Sequence, residues 1–313
     1  YDSTRDNWQK GVDWIRANHD KKFFIFFHTY KVHDPYVPPE PYFSMYNPEY
    51  NGNIINPNEK EYFKRSSAFW ANVDKNDPED IKQLIALYDG AIRYTDEHLM
   101  KPLFNLLDEL DLFDNTLIIF TADHGEEFKE HGRFQHNQVY DECLHVPLIL
   151  YLPPDLTKGT KTKNPDTQVR LIDLMPTIFD LLKIKHKKND FQGTSLIPII
   201  KGKEKEDRIL YACRVPSWKG NKPFIRNNII RFKGFKLIDN VRSRTIPLEF
   251  YNIERDPRET MNIITEQEKK ASELMSLLRQ ILNENQKFKE SRGYCIKQGS
   301  FEESTLEKLK ALG

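Results

Sequence analysis

An α/β fold is the class that this 313-residue sequence predicts. Short β-branched and aromatic runs alternate with longer stretches whose apolar residues recur at helical spacing, in the order strand, helix, strand, strand, helix. A group of Asp, Glu and His residues stands directly after one of the apolar runs. In open α/β sheets that is where ligands sit, in the crevice beyond the C-terminal ends of strands.

Taken in order, residues 23–30 (FFIFFHTY) read as a fully buried strand. The following loop, HDPYVPPEPY, repeats proline, which excludes helix and holds the backbone extended. A polar excursion runs to Asp77, which is placed to cap a helix with Pro78 in its first position. That helix covers IKQLIALYDGAIRYTDEHLMKPLFNLLDELDLF, kinked or divided at Pro102. Two strands, residues 116–121 and 146–152, bracket the acidic and histidine cluster. TKGTKTKNPD then reads as a solvated loop and VRLIDLMPTIFDLLKI as another helix.

Past Lys201 the texture changes. KGKEKEDR is a charged linker, and RILYAC, NNIIRFKGFKLIDN and PLEFYNI read as strands of a small antiparallel sheet, with Lys233 and Gly234 in a hairpin turn. Thr265 and Glu268 suggest a capping box opening the helix of residues 266–288, and SFEESTLEKLKALG suggests a terminal helix. The expected division is an α/β domain over residues 1–203 and a C-terminal subdomain of sheet and helix over residues 204–313.

Composition bounds the partners. With 47 basic and 47 acidic residues the net charge is zero, which gives no support to a nucleic-acid partner. No apolar run reaches the ~18 residues of a membrane span. Cys143, Cys213 and Cys295 are too scattered for a disulfide framework or a Cys-x-x-Cys metal site and read as buried thiols. Function must therefore be sought in the cluster Asp123, His124, Glu126, Glu127, Glu130, His131 and His136. A strand followed by Asp-His asks for a metal, although a capping Asp and a structural His fit the same letters. The three glutamates read as a solvated acidic face.

Five segments in this order resemble a sulfatase of the alkaline-phosphatase-like superfamily: FFIFFHTYKVHDPYVPP, FTADHGEEFKEHG, YDECLHVPLILYLP, LIDLMPTIFDLLKI and LEFYNIERDPRETMNI. The resemblance implies an alkaline-phosphatase-like mixed sheet flanked by helices, and metal-dependent hydrolysis of a sulfate ester. It implies Asp123 and His124 as ligands of a divalent metal: Ca2+ by family habit, or Mn2+ or Zn2+ given the imidazole. It implies His33 as the histidine at the ester, with Arg133 as a further substrate contact. His136 falls where the family usually has a sulfate-contacting lysine. His28 reads as supporting the site or the core, His131 as an orienting residue, and Tyr36 as lining the pocket or packing its loop.

Departures from the family pattern are as informative. Sulfatases carry Cys/Ser-x-Pro/Ala-x-Arg, the source of the formylglycine nucleophile, and an Asp-Asp metal pair. Neither occurs in this sequence. The resemblance therefore implies the C-terminal portion of a sulfatase, inactive by itself. A phosphodiesterase or phosphonate monoester hydrolase of the same superfamily is one alternative, and a non-catalytic binding protein on this fold is another.

Overall fold

The computed structural model describes residues 3–55, 66–158, 167–187, 190–204, 206–214, 218–219, 222–223, 227–241, 243 and 245–291. The expected terminal helix and Cys295 lie outside them. The chain forms two compact units: residues 1–136 with 145–159, and residues 137–144 with 160–313.

The first unit is built on helices α1 (Ser3–Asn18), α2 (Pro78–Thr95) and α3 (Lys101–Glu109). Asp77 caps α2 by accepting the Glu79 amide at 3.0 Å. A π-helical turn at Asp96–Met100 divides α2 from α3, where Pro102 withholds a backbone donor from the helical ladder. The inner face of α2 buries Leu84 and Leu87 against Tyr36, Val37, Phe43 and Phe69. Gly90 on α2 lets the proline-rich loop come close, since a Cβ there would lie 2.3 Å from the Tyr42 carbonyl oxygen. Helix packing thus fixes the loop that starts at His33.

Strands β1 (Ile118–Thr121) and β4 (Leu148–Tyr151) pair antiparallel, with Phe120 opposite Ile149. Between them β2 (Glu127–Phe128) and β3 (Phe134–Gln135) form a short hairpin. Phe120, Ile149 and Tyr151 share one face of the β1–β4 pair, by the alternation of a strand, and all three are exposed.

Residues 23–30 correct the expected buried strand. They are extended but belong to no ladder among the described residues, and their side chains alternate. Phe23, Ile25 and Phe27 pack with Trp8, Val12 and Ile15 of α1, whereas Phe24 and Phe26 are 78% and 79% exposed. An apolar run is buried on both faces only where two layers cover it, and α1 supplies one.

In the second unit, which also holds helix α4 (Leu174–Leu181), β5 (Leu210–Arg214), β6 (Asn227–Phe232), β7 (Phe235–Asp239) and β8 (Leu248–Asn252) form an antiparallel sheet in the order β8-β7-β6-β5, with the β6–β7 turn at Lys233 and Gly234. One face buries Ile230, Leu237 and Phe250 under Leu274 and Leu278 of α5 (Glu268–Ser291); the other packs Ile229, Ile238 and Tyr251 against Val139. Helix α5 begins three residues after Thr265, so the expected capping box is replaced by a turn in which the Ile263 carbonyl accepts the amides of Glu266 and Gln267. Ile263 and Ile264 are drawn into the core and set that entry.

The segments resembling YDE and DPxExxN prove to be joints of this unit. Lys236 is fully buried, with its ammonium 2.9 Å from Asp141 and 2.7 Å from Glu259. Arg231 reaches Asp141 at 2.5 Å, and Asp256 and Asn262 accept the amides of Met261 and Phe250. Cys143 is buried as expected; Cys213 is exposed, correcting that reading.

Candidate active site

Three imidazoles converge in the first unit. His33 opens the proline-rich loop, His124 follows β1 after Asp123, and His136 follows β3. Ring centroids lie 4.0 Å apart for His124 and His136, stacked at 25°, 4.9 Å for His33 and His136, and 6.0 Å for His33 and His124. All three are partly exposed. A ring nitrogen from each lies within 4.8 Å of the others.

The unused side of each ring is held. Nδ1 of His33 meets the Asp34 carbonyl at 2.8 Å, and Nδ1 of His124 meets the Gly125 carbonyl at 2.8 Å. A carbonyl can only accept, so in both rings Nδ1 carries the proton and Nε2 carries the lone pair of the neutral form. Nδ1 of His136 faces the Glu126 carboxylate at 3.4 Å. That contact raises the His136 pKa above its ordinary value, against burial and with help from Asp34 and Asp123.

Asp34 braces the site from below. Its Oδ2 accepts from Ser66 at 2.8 Å, Trp70 at 3.1 Å and Gln135 at 2.8 Å. Burial pushes its carboxyl up, but these three bonds and His33 hold it below the usual range. The loop after His33, the helix Ser66–Trp70 and β3 are thereby tied to one carboxylate.

Among the anticipated residues, His33, Asp123, His124 and His136 come together. Asp123 accepts the His124 amide at 3.1 Å, and its carboxylate is largely open to solvent, 3.7 Å from His124 Nε2. Arg133 lines a cleft of about 330 Å³ with Trp70, Lys75, Lys129, Phe134 and Gln135. His28 is exposed beside Tyr30, which corrects its reading as a supporting or core residue. Tyr36 is fully buried and packs the loop against Phe69, Tyr88 and Phe128. His131 donates its amide to Glu127 at 2.9 Å.

The reading of Glu126 and Glu127 as solvated is overturned. Glu126 is 9% exposed beside His136, and Glu127 is fully buried, accepting the amides of His131 and Arg133 at its Oε1. A buried carboxylate needs such partners, and the hairpin turn supplies them. Glu130 is the exposed one, accepting the Phe128 amide at 2.6 Å. Asp34, Glu126 and Gln135 are the site residues that sequence reasoning missed; the run Glu126-Glu127 offers no sign of its burial.

Comparison with known proteins finds relatives in both sequence and fold. The sulfatase family model matches residues 1–184, and the model for the C-terminal region of N-sulphoglucosamine sulphohydrolase matches residues 129–288. An arylsulfatase of Clostridium perfringens is 27% identical over 285 residues, covering 88% of this chain and 56% of the relative. The chain thus spans about half the length of that relative. Among solved structures, a protein in complex with its substrate D-glucosamine-2-N,6-O-disulfate superposes with a TM-score of 0.68 at 22% identity, covering 92% of this chain and 70% of the other. A phosphonate monoester hydrolase from Silicibacter pomeroyi superposes with a TM-score of 0.63 at 24% identity, covering 90% of this chain and 60% of the other. These likenesses show the alkaline-phosphatase-like α/β fold. With the first model spanning more than half of its residues, the chain belongs to the sulfatase family.

Proposed function

We propose that the polypeptide containing this chain hydrolyses a sulfate ester, and that residues 3–291 contribute the histidine half of its active site. The convergence of His33, His124 and His136 beside Asp123 carries the reading. A sulfated glucosamine is the favoured substrate class. The C-terminal model matched here is that of N-sulphoglucosamine sulphohydrolase, and one structural neighbour is in complex with a disulfated glucosamine.

Each residue has a task in that reaction. Glu126 keeps His136 protonated to higher pH than a free imidazole, so His136 places positive charge against the sulfuryl oxygens where a lysine would otherwise stand. His33, fixed through Nδ1, presents Nε2 to the leaving oxygen and protonates it in the charged form. The cleft lined by Arg133 and Trp70 receives the sugar beyond the ester.

Family membership implies a divalent metal, and the residues fit one. Asp123 offers an open carboxylate 3.7 Å from a ring nitrogen of His124 whose opposite side is already hydrogen-bonded. When bound, the ion withdraws charge from an ester oxygen. Calcium is the family habit, whereas imidazole in the donor set favours manganese or zinc more than an all-oxygen shell does.

The test is release of sulfate from glucosamine 6-sulfate and from an aryl sulfate by the full-length polypeptide, with a phenylphosphonate monoester as the rival. Turnover of either sulfate well above the phosphonate is expected. Preference for the phosphonate moves the protein to the hydrolases that share its fold, and no turnover of any of them sinks the proposal.

A further inference from the structure

We infer that the cleft of Lys75, Lys129 and Arg133 is a second anion site, which takes a sulfate or carboxylate on the sugar beyond the scissile ester and so selects polyanionic sugars. Its place relative to the ester rests on the sulfatase reading; the anion site itself does not. Three cations line the cleft together with Trp70, Phe134 and Gln135, and among the described residues none of those lining it is acidic.

The acidic neighbours in sequence are turned to backbone amides instead. Asp74 accepts the Asn76 amide at 2.9 Å, Asp77 the Glu79 amide at 3.0 Å and Glu130 the Phe128 amide at 2.6 Å. Uncharged groups position the lysines. The Lys129 ammonium donates to the Lys75 carbonyl at 2.6 Å and to Asn76 Oδ1 at 3.4 Å, and the Lys75 ammonium lies 5.5 Å from the Trp70 ring centroid. Contacts of that kind orient a charge without cancelling it, and like charges gathered on one concave wall focus a positive field on whatever enters.

Backbone geometry is the second observation. Lys129 and Gln135, on the two sides of the β2–β3 turn, hold φ values of +80° and +69°. Residues other than glycine rarely adopt that region, and such conformations cluster where a chain clamps a ligand. Both residues line the cleft. The third observation links the cleft to the histidines. Trp70 and Gln135 both donate to Asp34, the residue after His33, and Gln135 directly precedes His136. One hydrogen-bonded frame thus carries the cleft wall and the histidines, and the indole and the Phe134 ring offer a sugar ring an apolar surface.

Binding is measured by calorimetry on the 313-residue chain with glucosamine 6-sulfate, glucosamine 2-N,6-O-disulfate, and a uronic acid linked to glucosamine 6-sulfate. The second sulfate or the carboxylate should tighten binding ~10-fold or more over the monosulfated sugar, the worth of one hydrogen bond to a charged group. Either gain supports the inference and tells which anion the site takes. The gain should vanish in Lys75→Ala/Lys129→Asn, asparagine being tolerant of left-handed backbone, and persist in Lys129→Arg. The ratio of affinities is the readout, since a merely loosened hairpin weakens all three sugars alike. No measurable binding of the disulfated sugar, a ratio of one in the unaltered chain, or a ratio unmoved by the double variant overturns the inference. So does an oligonucleotide of equal charge that displaces the disulfated sugar with equal strength, which would mark an unselective polyanion surface. Absence of sulfate turnover by the full-length polypeptide, with the ratio intact, sinks the catalytic reading and leaves the anion site standing.

Discussion

At the scale of the residue, His136 is the informative side chain. Its pKa is raised, chiefly by Glu126, so the charged form persists above the pH at which a free imidazole loses its proton. A reaction that needs this charge loses rate on the alkaline side, through a group placed higher than an ordinary histidine. Glu126→Gln removes the carboxylate and should move that alkaline limb of kcat/KM to lower pH, whereas His136→Lys should remove it from the neutral range. A limb unmoved in both variants would mean that another group titrates there. The convergence of His33, Asp123, His124 and His136 was legible through the resemblance of the segments that carry them. The burial of Glu126 and Glu127 was not, because an acidic pair reads the same whether water or a hairpin's amides surround it.

Helix α5 shows what is legible at the scale of the element. Its leucine spacing announces a helix with one buried stripe, and Leu274 and Leu278 do lie against the sheet. Leu278 is completely buried, so Leu278→Ala should cost ~2–5 kcal/mol in chemical denaturation, while Ser272→Ala on the outer face should stay within ~0.5 kcal/mol. Comparable losses in both would mean that the helix does not pack as described. The start of the same helix was misjudged by two residues, since Thr265 and Glu268 have the letters of a capping box while the partial burial of Ile263 and Ile264 decides where the turn falls. Residues 23–30 teach the same lesson. Composition reports that a segment is apolar, but the number of layers covering it is a property of the tertiary structure.

For the molecule as a whole, the alternation of elements was enough to read the α/β class. The tie between the segments around Asp141 and Glu259 was not readable, because it runs through Lys236, a residue of no evident motif. These 313 residues contain no Cys/Ser-x-Pro/Ala-x-Arg and no Asp-Asp pair. The chain alone should therefore show no aryl sulfate turnover above a double variant His33→Ala/Asp123→Ala. It should also bind calcium more weakly than the longer polypeptide proposed to contain it, because Asp123 and His124 would leave most of a shell of six or more ligands to water. Calorimetry on the two proteins checks the second expectation, and equal calcium affinities would contradict a shared site.

Phe24 and Phe26 project from an extended run whose opposite side packs on α1, and Phe120, Ile149 and Tyr151 line an open strand face in the same unit. Aromatic and aliphatic surface left in water carries a heat-capacity signature when it is covered. Self-association of the isolated chain should accordingly strengthen on warming from the cold, with a negative heat capacity of association, as hydrophobic contacts do. Phe24→Lys/Phe26→Lys should suppress the light scattering that reports it. Scattering that is indifferent to both temperature and substitution would place the cause of association elsewhere on the molecule.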